Sequence, residues 1–254
     1  PIYQIDSDFE VFVDPTGTLH NYKEFEVNAI NTVWNLLLDK PYSDGGREHS
    51  GRIAKPGQDV YYEVYKQKSA TKVLSGRLND NTTGALWSIE VALAYSDLLA
   101  NTTTTTTPDK LLWRINFSRV EQQGDVNWTW QPQIAWDPAS NSFRGVVNMH
   151  APDAWGYLSF DHERRDALWP AKLAAVTLYY SLHYCNEQTG SYTNDVNDLV
   201  LPQDIMLPFD VAIRSNAAGF LVTVSDLLLG LTVTIRDDRL LMVDTSAAAP
   251  ASQS

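Results

Sequence analysis

Up to about Phe160, apolar and polar residues alternate with period two in short runs separated by turn-forming sequence. Side chains alternate faces along a strand, so this rhythm predicts strands rather than helices. The runs are Phe9–Asp14, Lys23–Ile30, Tyr61–Lys66, Lys72–Leu78, Leu86–Leu93, Leu112–Val120 and Tyr157–Phe160. Pro15, Thr16 and Gly17 turn the chain after the first, and long polar connections are expected over Tyr42–Gly57 and Gln122–Gly145. Many short strands with no helix between them predict a mainly β fold, an antiparallel β-sandwich of jelly-roll type.

After Asp161 the spacing changes. Leu168, Ala171, Ala175, Leu178 and Leu182 recur at helical intervals within Asp166–Tyr184, with Pro170 suited to a first turn and Gly190 to a stop. Phe209–Arg214, Phe220–Ser225, Leu231–Arg236 and Arg239–Val243 then read as antiparallel strands, with turns at Asn216–Gly219 and at Asp237 and Asp238. The expected organisation is a sandwich over 1–161, a small α+β appendage (one helix plus a β-meander) over 162–244, and a flexible tail over 245–254.

Dividing each strand by face separates two kinds of surface. Val11 and Val13 oppose Glu10, Phe12 and Asp14, while Phe25, Val27 and Ala29 oppose Glu24, Glu26 and Asn28. Trp87, Ile89, Val91 and Leu93 oppose Ser88 and Glu90, and Trp113, Ile115 and Phe117 oppose Arg114, Asn116 and Ser118. An antiparallel sheet packed on one side and wetted on the other has this pattern. So does the floor of a polar cleft. In that second reading Glu10, Glu26, Asn28, Glu90, Arg114 and Asn116 hydrogen-bond a ligand rich in hydroxyls. Trp128, Trp130 and Trp136 then stack on its C–H faces. The same tryptophans would also serve to plug an open end of the sandwich.

Composition narrows the choice. Among 254 residues the formal net charge is −12, which lacks the basic face that nucleic-acid phosphates require. Hydrophobic residues make up 44 %, ample for a packed core, and no apolar run approaches the roughly 20 residues of a membrane span. The single cysteine, Cys185, excludes an intramolecular disulfide framework and reads as a small buried hydrophobe on the helix. Asn81, Asn101, Asn116 and Asn127 each open an N-x-Ser/Thr triplet, and Thr102–Thr107 after Asn101 reads as an exposed loop. These signals point to a secreted, extracellular glycoprotein. The chain begins at Pro1 without an initiator Met or a signal peptide, which reads as a processed or fragmentary product.

Four blocks then carry a resemblance. Phe9–Gly17, His20–Asn28, Trp113–Glu121 and Val147–Tyr157, in that order, resemble the family-9 carbohydrate-binding modules and their carbohydrate-binding-like relatives, over roughly Asp8–Phe160. The resemblance implies a β-sandwich that binds polysaccharide or glycan without catalysis, often with structural calcium, beside glycan-degrading enzymes. Members that clamp sugar between two tryptophans would place them where this chain has Tyr3 and Gln4, and near Met149. Glu10 and Asn116 match hydrogen-bonding positions, and Glu26 stands where an Arg is expected. Strands that the family has upstream of Glu10 are expected from a partner chain or a removed segment.

Other chemistries compete. Glu10, Glu26 and Glu90 offer the paired carboxyls of a glycosidase, which need a separation of roughly 5–5.5 Å or 6.5–9.5 Å. Haem or a transition metal would have to use His20, His49, His150, His162, His183 or Met149, none at a tight ligand spacing, with Met149 and His150 expected on opposite faces of an extended segment. Calcium is the expected ion, with Asp6, Asp8, Asp14 and Asp80 as the principal ligand pool beside Asp39, Asp44, Asn79 and Asn81. A structural subunit of an extracellular assembly, using the same scaffold without sugar binding, is the third class.

Overall fold

The computed structural model describes residues 2–80, 82–102, 112–160, 165–206 and 208–244. It is mainly β, and its sheets are antiparallel. In chain order the strands are β1 (Asp8–Asp14), β2 (Tyr22–Asn28), β3 (Val33–Leu38), β4 (Glu48–His49), β5 (Lys68–Gly76), β6 (Ala85–Ala92), β7 (Trp113–Glu121), β8 (Val126–Thr129), β9 (Ile134–Asp137), β10 (Ser142–Gly145), β11 (Gly156–Leu158), β12 (Asp210–Asn216), β13 (Gly219–Asp226), β14 (Leu231–Arg236) and β15 (Leu241–Asp244). The helices are α1 (Tyr95–Leu98), α2 (Trp169–Thr189) and α3 (Gln203–Met206).

Two compact units divide the chain. The first comprises Pro1–Tyr42, Gly46–Gln133 and Val147–His162. Its main sheet runs β11-β7-β1-β2-β3-β4, with β8 paired to β7, and β5 with β6 forms a separate hairpin. One sheet face carries Phe9, Val11, Val13, Phe25, Val27, Trp113, Ile115 and Phe117, and packs against Ile89, Leu93, Leu98 and Leu99. Asp14 builds the β1–β2 turn: Oδ1 accepts the N–H groups of Thr16 and Gly17, and Oδ2 accepts that of Leu19. Gly17 has φ +66°, which suits a residue without a Cβ. The opposite face buries Phe12, Tyr22, Leu36 and Leu38 against Trp155 and Met149.

The second unit comprises Ser43–Gly45, Ile134–Val146 and Glu163–Ser254. It holds α2, the β9–β10 hairpin and the meander β12-β13-β14-β15. Gly190 caps α2 at φ +80°, and Pro170 lies in its first turn, as the sequence predicts. Cys185 is free and only partly buried. The 245–254 tail, Asn81, His162 and most of the Thr102–Thr107 tract lie outside the described residues.

Several expectations change. Tyr61–Lys66 forms no strand; Tyr62 and Val64 bury against Leu37 from an irregular segment, so alternate burial arises without a ladder. The Val33–Leu38 run escapes the period-two search because β3 is buried on both faces, with Leu36 and Leu38 on one and Leu37 on the other. Gln122–Gly145 contains β8, β9 and β10 rather than one polar connection. Among the described residues, no helix is long and apolar enough to cross a membrane.

Inside the second unit Arg239 is buried, ion-paired to Asp44 at 3.0 Å and stacked over the rings of Tyr179 and Tyr180 at 4.7 and 5.3 Å. Tyr179 also donates a hydrogen bond to Asp44. Removing one partner leaves a buried charge uncompensated. Asp44→Ala is expected to destabilise this unit by about 3–5 kcal/mol in denaturant titration; a change within experimental error would show that the pair contributes nothing net.

Candidate functional site

Besides Asp14, which the β1–β2 turn engages, the polar face of β1 and β2 carries four carboxyl groups. The antiparallel register sets Glu10 opposite Glu26 and Asp8 opposite Asn28 on β2, and Glu10 opposite Ser118 on β7. Strand alternation brings Glu24 onto the same face. Oxygens of Glu10, Glu24 and Glu26 all lie within 4.8 Å of one another, and all three residues are buried. Asp8 completes the row; it is fully buried, no aligned donor reaches its oxygens, and its carboxyl lies close enough to Glu26 for the two to share a proton.

Above this row lies a cavity of about 300 Å³. Glu10 and Glu24 reach it from the sheet, with Val120 of β7 and Asn127 of β8, and Val147, Asn148, Met149 and His150 close it from one side. Tyr3 and Gly124 line the remainder. Gly124 has φ +97°, a backbone conformation that suits a residue without a Cβ. His150 stacks edge-on to Tyr42 at 4.5 Å, hydrogen-bonds Tyr22 through Nδ1 at 3.0 Å, and places Nε2 3.9 Å from Glu24. Met149 and His150 both face the cavity, contrary to the opposite-faces expectation, because they occupy a turn rather than an extended segment.

Burial and mutual repulsion push these acids toward the protonated form. Asp8 rises to about 9, through burial first and then Glu10 and Glu26. Glu10 rises to about 8, through burial and then Glu26, while Ser118 pulls the other way. Glu24 is raised well above the usual range, by burial and then by Glu10 and Glu26. Burial also raises Glu26, held back by the Ile2 N–H that it accepts at 2.8 Å. Burial lowers His150 to about 4, so it is neutral near pH 7.

The expected floor is thus partly assembled and mostly covered. Glu10, Glu26, Asn28, Arg114 and Asn116 do share a sheet face, but all are buried. Only Glu10 of that set opens onto the cavity. Asn28 caps a turn by accepting the N–H groups of Ile30 and Thr32, and donates to Asp6. Arg114 donates to the Trp155 carbonyl at 2.9 Å and lies over Tyr157 at 4.4 Å. Asn116 Oδ1 accepts the Gln131 N–H. Glu90 lies apart, exposed on the β5–β6 hairpin beside Lys68 and Ser69.

The expected aromatic wall is not at this site. Trp128 pairs with Arg119 and therefore points to the face of Phe9 and Phe117, away from Glu10. Trp130 packs edge-to-face against Phe117 from the same side. Both indoles are about half exposed, at 50 % and 55 %. Trp136 belongs to the second unit, where its buried indole N–H bonds Ser181 Oγ and the Val200 carbonyl, each at 3.1 Å.

Most of the calcium pool is already occupied by local donors. Asp14 is saturated by its turn, Asp6 accepts from Ser7 and Asn28, and Asp80 accepts from Thr82 and Thr83. Among Asp6, Asp8, Asp14 and Asp80, Asp8 has buried oxygens without an aligned donor, and Asp44 Oδ2 faces Arg239 instead. Two glycosylation expectations change as well: Asn116 is fully buried and no acceptor in the folded chain, and Asn127 lines the cavity with its amide donated to the Gly124 carbonyl. Asn101 is exposed. Glu24 and Asn148 were not among the expected site residues, and His150 was named only as a candidate haem or metal ligand. Glu24 was legible from its face; the other two required knowing where the 147–150 segment lands.

The raised acids fix a pH dependence. Their folded pKa values exceed the unfolded ones of 3.8 and 4.5, so the folded chain holds protons that the unfolded chain has released. Stability therefore falls as pH rises toward 8. His150, displaced downward, opposes this only below its ordinary value of 6.5, and buried Lys23, lowered to about 8, opposes it only above that. Between about pH 6.5 and 8 the metal-free protein is expected to lose thermal stability, and Glu24→Gln should flatten the slope; a melting temperature that rises over this interval would contradict the assignment. No family model matches the chain, and comparison with curated proteins and with solved structures returns nothing similar.

Proposed function

We propose that the first unit binds the end of a saccharide chain, without catalysis, in the cavity above Glu10 and Glu24. The observation that carries this reading is that Tyr3 and Met149 line one cavity together with Glu10. These are the positions at which the family-9 resemblance expects the clamp around a sugar ring. Sugars need in-plane donors and acceptors for hydroxyls and apolar surface for their C–H faces. Glu10, Glu24, Asn127, Asn148 and His150 supply the first, and Tyr3, Met149, Val120 and Val147 the second. A volume of about 300 Å³ is at the small end for ligand pockets and suits one or two rings rather than a long chain segment.

The same acids argue against hydrolysis. A retaining or inverting pair works by holding one carboxyl protonated and the other ionised. Burial is the first cause raising Glu10, Glu24 and Glu26 alike, and none of the three is held below its ordinary value as a dedicated ionised partner. Affinity in a small, wet site is expected in the micromolar range or weaker, roughly −8 kcal/mol or less in magnitude.

A glycan array followed by titration of variants tests the reading. Tyr3→Ala is expected to weaken binding by about 1 kcal/mol, roughly fivefold, while Trp128→Ala on the opposite face leaves it unchanged. Loss of binding in Trp128→Ala with Tyr3→Ala unaffected would move the site to the exposed aromatic edge of β8. A blank array would favour a structural subunit, and release of reducing sugar from a bound glycan would favour a hydrolase.

A further inference from the structure

The carboxylate row has a second property, independent of any sugar. Three buried acids converge, yet among the described residues no Lys or Arg pairs with them; His150 Nε2 stands 3.9 Å from Glu24, and the charge of the amino terminus acts on Glu26. The donor given to the three is the Ile2 N–H on Glu26. Around them lie buried polar atoms without partners: Glu10 Oε2, both oxygens of Asp8, and Ser118 Oγ. Ser118 stands directly opposite Glu10 in the register, on the same face, and is 2 % exposed. It approaches Glu10 without forming an aligned hydrogen bond. The Ser118 alcohol and the Asp8 carboxyl meet only the acids of the row itself, without aligned hydrogen bonds, an arrangement that costs free energy unless something fills it.

We propose that Glu10, Glu24 and Glu26 bind one hard divalent cation, of the size of Ca²⁺, at the floor of the cavity. Oxygen-only ligands select a hard ion over the softer transition metals. Ca²⁺ takes oxygens at roughly 2.3–2.6 Å, so its ligands can be up to about 5.2 Å apart, whereas an Mg²⁺ sphere spans only about 4.2 Å. The three oxygens lie within 4.8 Å of one another, inside the span of a Ca²⁺ sphere, and an all-carboxylate set suits an ion that sheds its water more readily than Mg²⁺ does. Glu10 and Glu24 reach the cavity, which provides an entry path and leaves coordination positions open on that side. Ser118 Oγ and Asp8 stand as further oxygen ligands or as acceptors for bound water. This site differs from the acidic turns at Asp6, Asp14 and Asp80, whose oxygens are already engaged by local donors. It does not rest on the saccharide reading, because an ion needs no sugar in order to bind here.

The test uses the whole chain, freed of metal with a chelator and exchanged into metal-free buffer near neutral pH, without saccharide. Calcium is then titrated while metal content, heat of binding and melting temperature are followed. The expected result is one Ca²⁺ per chain, saturation by about 1 mM, and a melting temperature that climbs with calcium and much less with magnesium. Glu24→Gln and Glu26→Gln should each lose that climb, and Asp80→Asn should keep it. If a Gln variant fails to fold by circular dichroism, the titration of the parent chain still decides. No stoichiometric calcium and no calcium-dependent shift in the parent would overturn the proposal, as would a shift that survives both Gln substitutions. Because no glycan is present, a blank glycan array leaves this result untouched, and failure here leaves the saccharide reading standing.

Discussion

Burying like charges on adjacent strands is the constraint around which the first unit is organised. β1 and β2 are central in the sheet, and their shared polar face sets Asp8, Glu10, Glu24 and Glu26 within reach of one another. In water such a row would be unremarkable, since solvent screens it. Under the cover of the 147–155 segment and Tyr3 it is not screened, so each carboxyl must hold a proton, share one, or face a counter-ion. Everything else on that face accommodates this. Phe12, Tyr22, Leu36 and Leu38 pack beneath Trp155 to make one end apolar, which leaves the acids to line the open end.

That division ties fold to function. An apolar anchor at one end of the face holds the covering segment in place: Trp155 donates its indole N–H to the Met149 carbonyl at 2.9 Å, and Gln133 holds Asn148 by accepting its N–H at 3.1 Å. These bonds position Asn148, Met149 and His150 over Glu10 and Glu24. The other face of the same strands makes the core against the β5–β6 hairpin and α1. A single pair of strands therefore supplies both the core and the polar floor. Substitutions that disturb their register would flip acids into the core, so stability and site are not separable here.

How far the sequence could be read follows the range of the interactions. β1, β2, β7 and the β12–β15 meander were legible because one face of each is apolar and the alternation is local. The common face of Glu10, Glu26, Asn28, Arg114 and Asn116 was legible for the same reason. Their burial was not, because much of the cover, the 147–155 segment, lies more than a hundred positions beyond β1 and β2 in sequence. β3 was hidden by being apolar on both faces, and β8, β9 and β10 by lying in polar sequence. The three tryptophans show the limit most clearly. Trp128, Trp130 and Trp136 lie within one short stretch, yet two are half exposed on the far face of the sheet and the third is a core residue of the other unit. Only the pairing of β8 with β7 and the hydrogen bonds of Trp136 separate them.

The most direct measurement is nuclear magnetic resonance of the isotope-labelled chain while a glycan identified by array is added. The account predicts that backbone signals of Tyr3, Glu10, Glu24, Asn127 and Asn148–His150 move together with one saturation curve, and that the indole N–H signals of Trp128 and Trp130 stay where they are. Shifts centred on those two indoles, with the cavity residues unmoved, would contradict it.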